Sequence, residues 1–329
     1  MTRLLRVIVA AGAALLAMAA SAPAQMQGPL QGQYPNKPIT LIVPFGPGST
    51  TDTISRIIAQ HLGQALNQSI VIENKPGANG AIAAAYVARA APDGYTLLMS
   101  TNSPHSAAPS LNKSIAYDPV KDFEPVSRIG SFTLMLVLHP DVPATSIPEL
   151  IAYAKAHPGK LSFASGNASG VVAGETLKAW AGINLVHVPY RSTPPAVNDV
   201  LGGRVSMMFI DLTSGLAHVR AHALRALAVT RMQRSTLFPE LPSLHEAGVT
   251  NFDMDSWMGV FAPAHTPPDI VTRLNAELRK IVDNPEIKAR IGTLGFEAFS
   301  STPAELGGFV KVQLDKWTRM IRDAGIEPE

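Results

Sequence analysis

Ile39-Thr40-Leu41-Ile42-Val43 runs into Pro44-Phe45-Gly46-Pro47-Gly48-Ser49-Thr50-Thr51 and then into Asp52–Leu66. A short β-branched run ended by Pro and Gly reads as a buried strand. Beyond it, Ile54, Ile57, Ile58, Leu62 and Ala65 recur on one face of a helix. Strand, glycine-bearing loop and helix form the repeating unit of an α/β sheet.

The unit repeats outward from there. Ser69–Glu73 reads as a second strand, Asn74–Gly80 as a loop by composition, Ala81–Ala90 as a helix stopped by Pro92-Asp93-Gly94, and Thr96–Ser100 as a third strand. This alternation predicts a parallel, doubly wound sheet. It restarts with strands at Phe132–His139, Leu161–Ala164, Leu185–Val188, Met207–Ile210 and Leu224–Thr230, and with helices at Ile147–Ala156 and Val172–Ala181. A strand at Trp257–Ala262 and helices at Pro268–Asp283, Glu286–Leu294 and Pro303–Asp323 complete the chain. Two α/β blocks, with a C-terminal part able to rejoin the first, describe a bilobal molecule with a cleft.

At the other end, Arg3 and Arg6 precede an apolar run from Val7 to Ala20, and Ser21-Ala22-Pro23-Ala24 offers small residues before Gln25. That is the pattern of a secretory signal over residues 1–24, cleaved after Ala24. The run is 14 residues long, short of the ~20 needed for a membrane-spanning helix. Gln25–Tyr34 reads as a flexible leader. Removing the signal leaves 305 residues, enough for two domains, and balances 25 Lys and Arg against 25 Asp and Glu. No basic cluster points to nucleic acid. The chain has no cysteine, so disulfides and thiol-linked lipid are both excluded. A freely soluble periplasmic monomer is expected.

Open α/β sheets bind ligands beyond the carboxyl ends of their strands, where helix N-termini point. Three loops occupy such positions. In Pro44–Asp52, Phe45 offers a wall, Gly48 permits close backbone approach, and Ser49, Thr50 and Thr51 carry hydroxyls in front of a helix. The same loop also suits an ordinary strand-to-helix turn in which Thr51 or Asp52 is the N-cap. Ser165-Gly166-Asn167-Ala168-Ser169-Gly170 repeats the composition before a second helix, so one anion shared by both loops is favoured over either loop alone. The third loop, after Ser100, supplies Asn102, Ser103 and His105. Tyr190 and Arg191 follow another strand; the guanidinium suits a carboxylate, and equally a surface ion pair. Asp211 ends a strand and can accept from a ligand or tie a hinge.

Catalytic signals are missing. The sequence holds no Gly-x-Ser-x-Gly elbow and no His-Glu-x-x-His pair, and its nine histidines show no metal-ligand spacing. No catalytic residue, metal or cofactor is expected.

The order of motifs resembles one family, the Bug-type periplasmic receptors of tripartite tricarboxylate transporters. The resemblance rests on Pro44–Asp52, Glu73-Asn74-Lys75-Pro76-Gly77-Ala78-Asn79-Gly80, Pro92-Asp93-Gly94-Tyr95-Thr96-Leu97 and Tyr117-Asp118-Pro119-Val120-Lys121-Asp122-Phe123. Val188-Pro189-Tyr190, Leu201-Gly202-Gly203-Arg204-Val205, Leu227-Ala228-Val229-Thr230 and Gly259-Val260-Phe261-Ala262-Pro263 continue it. It implies a two-lobed, Venus-flytrap periplasmic binding protein of type II with two doubly wound sheets and a hinge. Residues 35–130 with 251–329 would form lobe 1, and 131–250 lobe 2. It further implies that Pro44–Asp52 and Ser165–Gly170 enclose a ligand carboxylate, partly through ordered waters. The partners it implies are a small carboxylate and integral-membrane transporter subunits. Two departures bear on the ligand: Tyr190-Arg191-Ser192 stands where Tyr-Lys-Gly is frequent, and Ser103–Pro109 lacks a frequent Asn-Pro. Combined with Phe45 and Tyr190 as walls, these loops favour a dicarboxylate with an apolar or aromatic spacer. An extracytoplasmic sensor, or a serine hydrolase using Ser103 or Ser169 with His105, are the alternative functions.

Overall fold

The computed structural model describes residues 34–235 and 238–328. The expected signal over residues 1–24 lies outside them. The chain divides into two units, the first ending at Asn36 and the second, Lys37–Glu329, compact. Of the first, only Tyr34, Pro35 and Asn36 are described, with a cis peptide before the proline. All that follows concerns the second.

Strand β1 (Ile39–Val43) leads into helix α1 (Thr50–Leu66), then β2 (Ile70–Asn74), α2 (Ala81–Ala88) and β3 (Thr96–Thr101). Both β2 and β3 pair in parallel with β1. The strands lie where the β-branched runs put them, between Pro or Gly punctuation. Helix α1 has one apolar face, whereas α2 is apolar all round and buries Ala83, Ala84 and Val87 while leaving Ile82 and Tyr86 exposed. A single π turn, Ser103–Ala107, runs into the short α3 (Ala108–Leu111). Strand β4 (Phe123–Leu138) is 16 residues long, and sequence periodicity predicts only its second half. Register shifts at Pro125/Ser127 and Arg128/Gly130 explain this: a bulge inserts a residue and destroys the period of two. Gly130 has φ 149, and a Cβ there would lie 2.0 Å from the Glu297 carbonyl oxygen, so only glycine fits.

The second block comprises α4 (Ile147–Ala156), β5 (Ser162–Ser165), α5 (Ala168–Ala181), β6 (Val186–Pro189), α6 (Thr193–Leu201), β7 (Met207–Asp211), α7 (Leu212–Arg220) and β8 (Arg225–Val229). Strands β6 and β7 flank β5 in parallel. Helices α6 and α7 go beyond the sequence reading. Pro194 and Pro195 look like breakers but occupy the first turn of α6, where the missing N–H has no intrahelical acceptor anyway.

The chain returns through β9 (Asp255–Pro263), α8 (Pro268–Val282), α9 (Pro285–Gly292), β10 (Phe296–Ala298) and α10 (Pro303–Asp323). Here the expected parallel order changes: β9 runs antiparallel to both β3 and β4. Strand β4 serves two sheets. Phe123–Thr133 pairs with β9, whereas Leu134–Leu138 pairs with β7 and, through Met135–Leu138, with β8. Helix α10 likewise touches two cores. Leu306 and Val310 pack with Ile42, Leu98 and Trp257, while Trp317 and Ile321 pack with Leu136, Phe163 and Phe209. Among the described residues no helix is long and apolar enough to cross a membrane.

Candidate functional site

Four helices begin at one place between the two sheets: α1 behind N-cap Ser49, α5 behind Asn167, α6 behind Ser192 and α7 behind Asp211. The capping is local chemistry. Ser49 Oγ accepts from Asp52 N at 3.2 Å, Asn167 Oδ1 from Gly170 N at 3.0 Å, and Asp211 Oδ1 from Ser214 N at 2.8 Å. Ser192 caps nothing; its hydroxyl accepts from Gly46 N, 3.0 Å away on the other sheet's side. Each helix start favours a nearby anion by ~0.3–1 kcal/mol.

These starts line a small cavity together with Phe45, Thr51, Thr101, Asn102, Ser103, Phe132, Ser169 and Ser256. Its volume is about 10 Å³, roughly the least that holds one water. Direct bonds between the halves explain the fit. Asn102 Nδ2 donates to Ser169 Oγ at 2.8 Å, and Ser169 Oγ meets Ser256 Oγ at 2.9 Å. Thr50 Oγ1 donates to Asp211 Oδ1 and lies 3.1 Å from Ser214 Oγ.

Among the described residues no Lys, Arg or His lines this cavity, and Asp211 is the one carboxylate that does. Burial raises the Asp211 pKa; bonds from Thr50 and Ser214 oppose that but do not cancel it. Asp52, in the first turn of α1, behaves differently. Burial pushes its carboxyl up, yet bonds from Arg56, Gly48 N and Asn74 outweigh burial, and the net shift is downward. Asp52 therefore braces the loop from behind.

Of the residues singled out from sequence, Phe45, Ser49, Thr50, Thr51, Asn102, Ser103, Asn167, Ser169 and Asp211 come together here. Ala168 and Gly170 lie in the first turn of α5 beside it, whereas Gly48 is exposed and donates its N–H to Asp52 Oδ2 at 3.0 Å. Ser165 bonds His187 at 2.6 Å, and with Tyr190 and Arg191 lines a separate cavity. His105 is seated in the core instead of the cleft. It has no exposed surface, bonds Ser100 Oγ through Nδ1 at 2.6 Å, and lies 4.1 Å from the Phe261 ring and 4.7 Å from Phe123. Burial pulls its pKa down to about 3, so the imidazole is neutral. It reaches neither Ser103 nor Ser169, and the Ser–His pairing considered from sequence is not formed. Four lining residues escaped the sequence reading. Thr193 opens a helix masked by prolines, Thr101 extends β3 past its expected end, and Phe132 and Ser256 arrive on the crossing strands.

The family model for the tripartite tricarboxylate transporter family receptor matches residues 54–326. Among solved structures, Rpa4515 of R. palustris with adipate is 33% identical, covers 90% of this chain and 100% of its own, and superposes with a TM-score of 0.87. Periplasmic binding protein BugD is 34% identical at a TM-score of 0.86, again over 90% of this chain and 100% of its own. MatC from Rhodopseudomonas palustris with bound malate is 30% identical at 0.83, over 88% and 100%. The fold is thus the two-lobed periplasmic-binding-protein fold. With four-fifths of its length matched by the family model, the chain belongs to the tripartite tricarboxylate transporter receptors.

Proposed function

We propose that this chain is an exported periplasmic receptor that captures a small carboxylate between its two halves and delivers it to a tripartite tricarboxylate transporter, without chemical turnover. One observation carries the reading: four helix N-termini and a ring of hydroxyl and amide donors converge where the halves meet, with no Lys or Arg among the described lining residues. Neutral donors with helix ends can hold a carboxylate by charge-assisted hydrogen bonds. The carboxylates bound by Rpa4515 and MatC support that class. Phe45 and Phe132 provide apolar walls, which suits a diacid with an apolar spacer, its second carboxylate met by neutral donors. The first lobe would contain β1–β3 with the returning C-terminal segment, and the second would contain β5–β8.

The test is a thermal-shift and calorimetric screen of adipate, malate and aromatic diacids. A ligand at ~100 times its Kd stabilises by about 2.7 kcal/mol. Thr50→Val and Asn102→Leu should each weaken the best ligand by ~1–3 kcal/mol. A screen without any stabilising carboxylate, or variants that bind as the parent does, would sink the reading.

A further inference from the structure

The Lys75–Gly80 turn and the Tyr190-Arg191 pair take no part in the inner cavity, yet the fold brings them together at another. This outer cavity measures about 690 Å³ and is lined by Ala78, Asn79 and Leu111 from one side, by Val171 and Arg191 from the other, and by the chain's end at Gly325–Glu327. Small-molecule sites span ~300–1,000 Å³. A backbone wall separates it from the inner cavity. Gly166 is packed so closely that a Cβ would lie 2.4 Å from Thr193 N.

Two features mark the outer cavity as built for a ligand. Ala78 and Asn79 have φ of 46° and 52°, a left-handed pair that side chains disfavour and that clusters at binding sites. The charges are also distributed unevenly. Glu175 is held by Lys178 at 2.7 Å, Tyr190 Oη donates to Asp199 at 2.5 Å, and His187 meets Ser165. Arg191, the one Lys or Arg in the lining, makes no hydrogen bond or ion pair among the described residues. Glu327, exposed at the rim, is a carboxylate without an ion pair there.

We propose that the outer cavity is a second ligand site, for a small organic anion whose carboxylate meets Arg191 and whose apolar body lies on Leu111 and Val171. Both halves line it, so parting them dismantles the site. An anion bound there stabilises the same closed form as a ligand in the inner cavity, and each raises the other's affinity by an equal factor.

The experiment uses 4-fluorobenzoate as probe, followed by fluorine NMR titration of the full mature protein. Saturable binding is expected, weakened about tenfold or more in Arg191→Ala, where one charged contact is lost, and weakened in Val171→Trp, whose indole occupies the part of the cavity proposed for the probe's ring. Thermal melts establish that both variants fold; Arg191 is exposed, so its variant remains informative if Val171→Trp does not. Both should keep the parent's response to adipate or malate, which separates this site from the inner one. No saturable binding of the probe, or equal binding by parent and Arg191→Ala, overturns the proposal. So does simple competition between the probe and an inner-cavity carboxylate.

Discussion

Asp211 sits in the inner cavity as a buried acid, and the sign of its effect can be worked out. Its folded pKa is raised by burial. Such a group contributes stability at low pH that is lost as pH rises through the folded pKa, because the unfolded carboxyl ionises freely while the buried one must ionise out of water. Asp211→Asn keeps an N-cap for α7 and an acceptor for Thr50 but removes that loss. The variant should melt higher than the parent at neutral pH and no higher well below the ordinary carboxylate range; a lower melting point at both would refute the argument. A ligand carboxylate arriving beside Asp211 raises its pKa further, so the parent's affinity should increase as pH falls, and the slope should vanish in Asp211→Asn. Residues of this kind were unevenly legible from sequence. Ser49 and Asn167 could be picked out as loop donors by composition, but the cap of α1 is Ser49 and not the Thr51 or Asp52 that the sequence suggests. His105 misled because a hydroxyl-rich turn has the same composition whether it faces a cleft or is folded against Phe123 and Phe261. Ser256 could not be found at all, since its position depends on a strand pairing across more than a hundred residues of chain.

Among the elements, the two crossing strands are fastened by one arginine. Arg231, just past β8, bonds Asp255 on β9 at 2.8 Å, Glu297 on β10 at 2.8 and 3.0 Å, and Ser131 on β4 at 3.3 Å. Its bonds with Glu297, then Asp255, raise its pKa against the effect of burial. The side chain is about three-quarters buried, but Glu297 is half exposed, so the pair is partly screened. Arg231→Met should lower stability by ~1–3 kcal/mol, seen as a reduced urea midpoint, and high salt should narrow the gap between parent and variant. A midpoint that does not move would show that the three strands hold without it. None of this network was visible in the sequence. Helices α4 and α10, by contrast, have the bounds that their apolar spacing and capping residues Ser146 and Thr302 dictate. Strand β4 was half-hidden because its bulges erase the alternation that marks a strand.

For the molecule as a whole, the alternation of strands and helices announced two α/β blocks, while strand direction left no trace in periodicity and the antiparallel return of β9 came only with the structure. The inner cavity, at about 10 Å³, cannot admit a dicarboxylate while Asn102 meets Ser169 and Thr50 meets Asp211. On the proposed function, uptake would require the halves to part, with β4, which passes between the sheets, as the proposed hinge, and capture would require them to close. Small-angle scattering should give a smaller radius of gyration with saturating ligand than without it; an unchanged radius alongside a clear heat of binding would exclude the motion. The double service of β4 also limits how such receptors can be recombined. Because Thr133 belongs to one sheet and Leu134 to the other, neither half owns a complete set of strands. A chimera that joins the specificity loops of one relative to the body of another must carry the whole strand from a single parent, or splice within the loops. In this chain, exchanging turns would leave the frame intact, whereas a splice inside β4 would divide it between two sheets.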